Sequence, residues 1–145
     1  MPIGWFGPNP KDVPWPRFES CKALADWADV LAVCSRATAE NRGLIDRDVL
    51  DALGPRGLLV NISRGSVVDE RALIDALQEG RLGAAALDVF ADEPTDAAKW
   101  RDVPNLILQP HHGGSTFEAI EEAKALVVGN IRRFVRDQQL LSAVN

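Results

Sequence analysis

The sequence predicts an α/β domain built on a parallel, doubly wound sheet. Short apolar runs of strand length alternate with amphipathic helical patterns along the chain, which is the signature of strand–crossover–strand units. Four of those runs end in polar clusters that carry Ser35, Arg64, Asp88 and His111. With crossovers of one hand, these four ends share one edge, the carboxyl edge, where open α/β sheets bind ligands. The 145 residues suffice for one domain with a real core.

Residues 1–6 form a short apolar run that Gly7-Pro8-Asn9-Pro10 stops, predicting a strand and a turn. The stretch through Pro16, with Lys11, Asp12, Pro14 and Trp15, reads as a surface loop. Ser20 caps a short helix through Trp27, with Leu24, Trp27 and Ala28 facing inward. Residues 30–34 are a second strand, ending in the polar loop Ser35-Arg36-Ala37-Thr38. Asp46 caps a helix carrying Val49, Leu50 and Leu53, and Gly54-Pro55 stops it. The apolar run 57–60 has buried-strand length and leads into Asn61-Ile62-Ser63-Arg64-Gly65.

Asp69 caps the next helix, with Leu73, Ile74 and Leu77 on one face and Gly80 as its stop. Residues 83–90 predict a strand whose small side chains let a neighbouring layer approach, and Asp92-Glu93-Pro94 closes it. Residues 95–102 are polar and read as loop. Residues 103–108 predict the last strand, followed by Gln109-Pro110-His111-His112-Gly113-Gly114. Ser115 and Glu118 have capping-box spacing. Their helix runs to about Asp137 with Ile120, Ala123, Val127, Ile131 and Phe134 on one face, and 140–145 form a short tail.

Several classes drop out on composition. Net charge is −5, with 16 basic and 21 acidic residues spread along the chain, so no basic block points to nucleic acid. No apolar run approaches a membrane span, and the first residues lack a signal peptide's basic start and apolar middle. Cys21 and Cys34 match no disulfide framework or metal spacing and read as reduced thiols of a cytoplasmic protein. Two histidines with scattered carboxylates make no metal site. No serine sits in a nucleophile elbow.

The carboxyl edge holds its own chemistry. Arg64 offers a planar fork of donors suited to a carboxylate, or to polarising a carbonyl. His111 is suited to proton exchange near neutral pH. Glu93 or Asp88 would orient His111 and favour its charged form. The plainer alternatives are a surface arginine for Arg64, a helix cap for His111, a turn held by backbone amides for Asp88, and a simple turn at Glu93-Pro94. His112 reads as structural or exposed.

Three blocks resemble one family. Asn61-Ile62-Ser63-Arg64-Gly65 followed by Val67-Val68-Asp69-Glu70, then Leu87-Asp88-Val89-Phe90 with Glu93-Pro94, then Pro110-His111 with Gly113 and Thr116, match in order and spacing the signature of the D-isomer-specific 2-hydroxyacid dehydrogenases, of the glyoxylate/hydroxypyruvate reductase type. The resemblance covers nearly the whole chain, residues 3–145. It implies a Rossmann-like NAD(P)-binding domain and hydride transfer between NAD(P)H and a small 2-keto acid. By the same resemblance, Arg64 binds the substrate carboxylate and carbonyl oxygen, His111 is the acid–base, and Glu93 pairs with it. Asp88 meets the nicotinamide carboxamide, and Ser35, Ile62, Arg64 and Gly114 lie along the cofactor. A homodimer is expected. The division implied is 1–114 for a partial dinucleotide-binding domain and 115–145 for a helix and tail returning to a substrate domain.

The departures carry expectations of their own. The Gly-rich loop G-x-G-x-x-G is absent, and Ile3-Gly4-Trp5-Phe6-Gly7 resembles the strand that follows it. The chain therefore reads as the back portion of a longer enzyme, truncated before its first strand, and inactive by itself. In the order 3-2-1-4-5-6 that strand is central, so residues 2–6 and 30–34 would face a gap. Gly7-Pro8 stands where NAD-preferring members carry an acid, so the expected cofactor is NAD(P), leaning to NADP, with Lys11 or Arg17 meeting a 2′-phosphate. Asn41 stands where threonine is common, and His112 where an apolar residue is common. The rival reading is a non-catalytic NAD(H)-binding scaffold or co-repressor-like module of the same superfamily. Retention of Arg64, Glu93 and His111 together argues against it.

Overall fold

The structure, a computed structural model, describes residues 1–143. It divides into two compact units, Met1–Pro110 and His111–Asn145. The first unit holds a four-stranded parallel sheet of β1 (Val30–Val33), β2 (Leu58–Asn61), β3 (Ala84–Leu87) and β4 (Leu106–Leu108), in that spatial order. Val33 pairs with Asn61, Asn61 with Leu87, and Leu87 with Leu108, so the four carboxyl ends are level. Three α-helices belong to this unit: α1 (Cys21–Trp27), α2 (Arg47–Leu53) and α3 (Glu70–Gln78). The second unit contains α4 (Phe117–Val135).

The caps read from the sequence are the ones that start the first three helices. Ser20 Oγ accepts the Ala23 N–H at 3.0 Å, Asp46 Oδ1 the Val49 N–H at 3.0 Å, and Asp69 Oδ1 the Arg71 and Ala72 N–H groups at 3.0 Å each. α2 ends at Gly54, whose φ of +79° suits only a residue without a Cβ. The core gathers Leu31, Val33, Leu59, Ala85 and Leu87 of β1, β2 and β3 into one buried cluster with α2 and α3. Those helices answer with Val49, Leu50, Leu53, Leu73, Ala76 and Leu77. Alternate strand positions are more exposed, as a two-residue side-chain period requires.

Several local expectations are corrected. Residues 1–6 form no strand. Trp5 makes one parallel bridge to Arg17, its N–H donating to Pro16 O at 3.0 Å and its C=O accepting from the Phe18 N–H at 2.8 Å. One bridge does not propagate into a ladder, and among the described residues this segment is not part of the four-stranded sheet. Among the described residues, β1 lies at one edge of that sheet, beside β2. In α1 the buried residues are Cys21 and Ala25; Trp27 turns out to meet the Phe18 ring at 5.2 Å. Residues 95–102 contain a 3₁₀ turn, Ala97–Trp100, capped by Asp96 and anchored by buried Trp100 against Phe90 at 5.8 Å. A single such turn is too short to show periodicity. β3 and β4 are shorter than the apolar runs that contain them.

α4 is capped by Thr116, whose hydroxyl accepts the Ala119 N–H at 3.1 Å; Ser115 is not the cap. It carries no buried residue. Asn130 holds the tail that follows, donating to Leu141 O at 3.0 Å and accepting the Leu141 N–H at 2.8 Å. The last two residues of the expected tail lie outside the described residues. Among the described residues, no helix is long and apolar enough to cross a membrane, and no cluster of His, Cys, Asp and Glu is placed to hold a metal.

Candidate active site

β2 ends on Asn61, and that side chain organises the next three residues. It is 1% exposed. Its Oδ1 accepts the Ser63 N–H at 3.0 Å and the Ser63 hydroxyl at 2.9 Å. Its Nδ2 donates to Arg64 O at 3.2 Å. This Asx-type turn folds the chain back at the strand end. Arg64 is therefore presented in extended conformation (φ −145°, ψ 144°) at the start of a 3₁₀ turn, Gly65–Val67. Its side chain is exposed, with Nη1 donating to Ser63 O at 2.6 Å.

An open concavity of about 480 Å³ lies between the loop after β1 and the loop after β2. Cys34, Ser35, Arg36 and Ala37 form one wall, and Ile62, Ser63 and Arg64 the other. Three sequence-predicted residues, Ser35, Ile62 and Arg64, thus meet at the carboxyl ends of adjacent parallel strands. The two arginines make the wall attractive to an anion. Asn41 pins the first loop, accepting the Thr38 N–H at 2.8 Å and donating to Arg36 O at 2.8 Å. The volume falls in the range of small-molecule sites.

The next strand end carries Asp88 and Glu93. Asp88 is 8% exposed, and its N–H donates to Asn61 O at 3.0 Å. Glu93 is exposed, and its Oε1 accepts the Phe90 N–H at 2.9 Å. Near the chain's start, Arg17 Nη2 donates to Gly7 O at 2.8 Å and Pro8 O at 3.2 Å. Its guanidinium carbon lies 5.6 Å from the centre of the Trp5 ring, and Lys11 Nζ lies 5.7 Å from it. Both cations considered for a phosphate therefore flank Trp5. His111 opens the second unit with φ +53°, followed by His112, Gly113 and Gly114 in an exposed turn where the Ser115 N–H donates to His112 O at 2.9 Å.

The positioning roles of Asn61 and Asn41 were not read from the sequence. Asn61 did leave a trace there, as an Asx-forming residue at a strand end two positions before a serine. Asn41 had none beyond its polarity.

A parallel α/β sheet with a polar, arginine-walled concavity at its carboxyl edge is a ligand-binding domain of the Rossmann-like class. Residues 7–113 match the D-isomer specific 2-hydroxyacid dehydrogenase NAD binding domain, and the chain belongs to that family. It is 42% identical over 145 residues to 2-ketogluconate reductase of Gluconobacter oxydans, covering 99% of this chain and 47% of that protein. It is 42% identical over 144 residues to a glyoxylate/hydroxypyruvate reductase of Arabidopsis thaliana, covering 99% and 46%. Among solved structures, a 2-hydroxyacid dehydrogenase from Ketogulonicigenium vulgare superposes with a TM-score of 0.93 at 44% identity, over 100% of this chain and 46% of that one. An NADPH-dependent glyoxylate/hydroxypyruvate reductase from Sinorhizobium meliloti, in complex with NADP and malonate, superposes with a TM-score of 0.91 at 33% identity, over 99% and 46%. The chain spans about half the length of these relatives.

Proposed function

We propose that these residues serve an NAD(P)-dependent D-2-hydroxyacid dehydrogenase that reduces a small 2-keto acid of the glyoxylate or hydroxypyruvate kind. The observation that carries this reading is Arg64, held by buried Asn61 at the rim of a concavity shared with Ser35 and Ile62. Its fork holds the substrate carboxylate and the carbonyl oxygen, where negative charge grows as the carbon is reduced. His111 delivers the proton to that oxygen, and Glu93 pairs with His111 to orient it. Asp88 meets the nicotinamide carboxamide, and Ser35, Ile62, Arg64 and Gly114 line the dinucleotide. When bound, NAD(P)H supplies the hydride. Residues 1–114 act as part of the dinucleotide-binding domain, and 115–145 lead to a substrate domain.

The lean to NADP rests on Gly7-Pro8 without an acid, and on Arg17 and Lys11 beside Trp5. The protein is read as cytoplasmic and as a homodimer. The 145 residues carry no Gly-rich phosphate loop and are expected to turn over no substrate by themselves.

The test is reduction of glyoxylate and hydroxypyruvate, followed by NADPH absorbance, in the protein expressed from its complete reading frame. Arg64→Ala should raise KM for the keto acid on the order of a hundredfold, the loss of a charge-assisted pair of about 2–3 kcal/mol. NADPH binding without turnover of any 2-keto acid would favour the scaffold reading instead.

A further inference from the structure

The loop that carries Glu93 is clamped by a second carboxylate, which the reaction as described does not use. Glu70, the first residue of α3, is 7% exposed. Its Oε1 accepts the Ala91 N–H at 2.7 Å, across a sequence separation of 21 residues. Its Oε2 pairs with Lys99. Ala91 and Lys99 stand on opposite limbs of the loop 90–100. The base of that loop is closed by the Phe90–Trp100 ring contact, and Trp100 Nε1 donates to Thr95 Oγ1 at 2.9 Å. Glu93 Oε1 accepts the Phe90 N–H, the amide just before the one that Glu70 takes. Two carboxylates thus hold two consecutive amides.

A buried carboxylate at a helix start is ordinarily explained by the helix dipole. Here both of its oxygens are directed at the neighbouring loop. We infer that Glu70 is a positioning residue for Glu93: it fixes both limbs of the loop, with Lys99 as its counter-ion, so that Glu93 is presented in one orientation. The inference rests on the proposed role of Glu93 in the reaction.

Two conservative variants separate positioning from simple stabilisation. Glu70→Gln keeps an oxygen for the Ala91 N–H and loses the charge that pairs with Lys99. Glu70→Asp keeps the charge and loses the reach to Ala91. Positioning predicts that Glu70→Asp lowers kcat about tenfold with KM for keto acid and cofactor unchanged, while Glu70→Gln, which keeps the Ala91 limb and releases the Lys99 limb, lowers kcat by less and also leaves KM unchanged. Amide hydrogen exchange at Ala91 should quicken in Glu70→Asp and not in Glu70→Gln. Equal kcat in parent and both variants, or a loss that tracks the fall in Tm, overturns the inference. A parent protein that reduces no keto acid overturns the assigned reaction instead. Exchange at Ala91 then decides the clamp alone, supporting it if quickened by Glu70→Asp and overturning it if unchanged.

Discussion

Gly65 and Phe90 touch backbone to backbone: a Cβ built on Gly65 would lie 1.9 Å from the Phe90 carbonyl carbon and 2.2 Å from its oxygen. This contact brings the segment that begins at Arg64 against the segment that leads to Glu93. Its glycine is required by closeness, because the obstacle is main chain and no side-chain rotamer relieves it.

Gly65→Ala is therefore expected to destabilise the protein by about 2–3 kcal/mol, the upper part of the usual cost of overpacking. Urea unfolding should show a lower midpoint with an unchanged slope. A midpoint equal to that of the parent would mean that the two segments part without cost.

Asn61 should matter for both stability and substrate binding. Removing its side chain leaves the buried Ser63 N–H and Arg64 C=O without the partner they have now. Asn61→Ala should cost about 1–3 kcal/mol and should raise KM for the keto acid, because the Arg64 main chain loses its tether. Denaturation and steady-state kinetics on one preparation read both. Loss of stability with KM unmoved would show that Arg64 is held by other means.

The two cysteines should behave oppositely. Cys34 is exposed and Cys21 is buried, so a thiol reagent should label Cys34 in the folded protein and Cys21 only on unfolding. Burial, with the Asp46 charge adding to it, pushes the Cys21 thiol from 9.0 up to about 11. A folded value above the unfolded one means that this contribution to stability is whole below pH 9 and is lost as pH rises towards 11. The stability difference between the parent and Cys21→Ala should therefore narrow over that interval. A difference that stays constant would refute the burial argument.

Much of this protein is local, and the local part was legible. Caps at Ser20, Asp46 and Asp69, stops at Gly54 and Gly80, and the apolar strand runs depend on residues within a few positions of one another. The strand ends that carry Ser35, Ile62 and Arg64 follow from the alternation of strands and helices, and the structure brings these three residues into one concavity. The family followed from the order and spacing of three short blocks, and the match over residues 7–113 bears it out.

What the sequence by itself determined was the α/β class, the parallel sheet, the family and the edge on which the polar residues gather. The tertiary structure alone decided the rest. It reduced residues 1–6 to a single bridge at Trp5, because a strand exists only where a neighbour offers a ladder. It turned Trp27 out to Phe18 and buried Trp100, because the facing of a one- or two-turn element is set by what packs against it. It also joined Glu70 to Ala91 and Gly65 to Phe90. Those contacts span twenty or more residues, and no local pattern encodes them: they arise only when β2 and β3 lie side by side and their following loops compete for the same space.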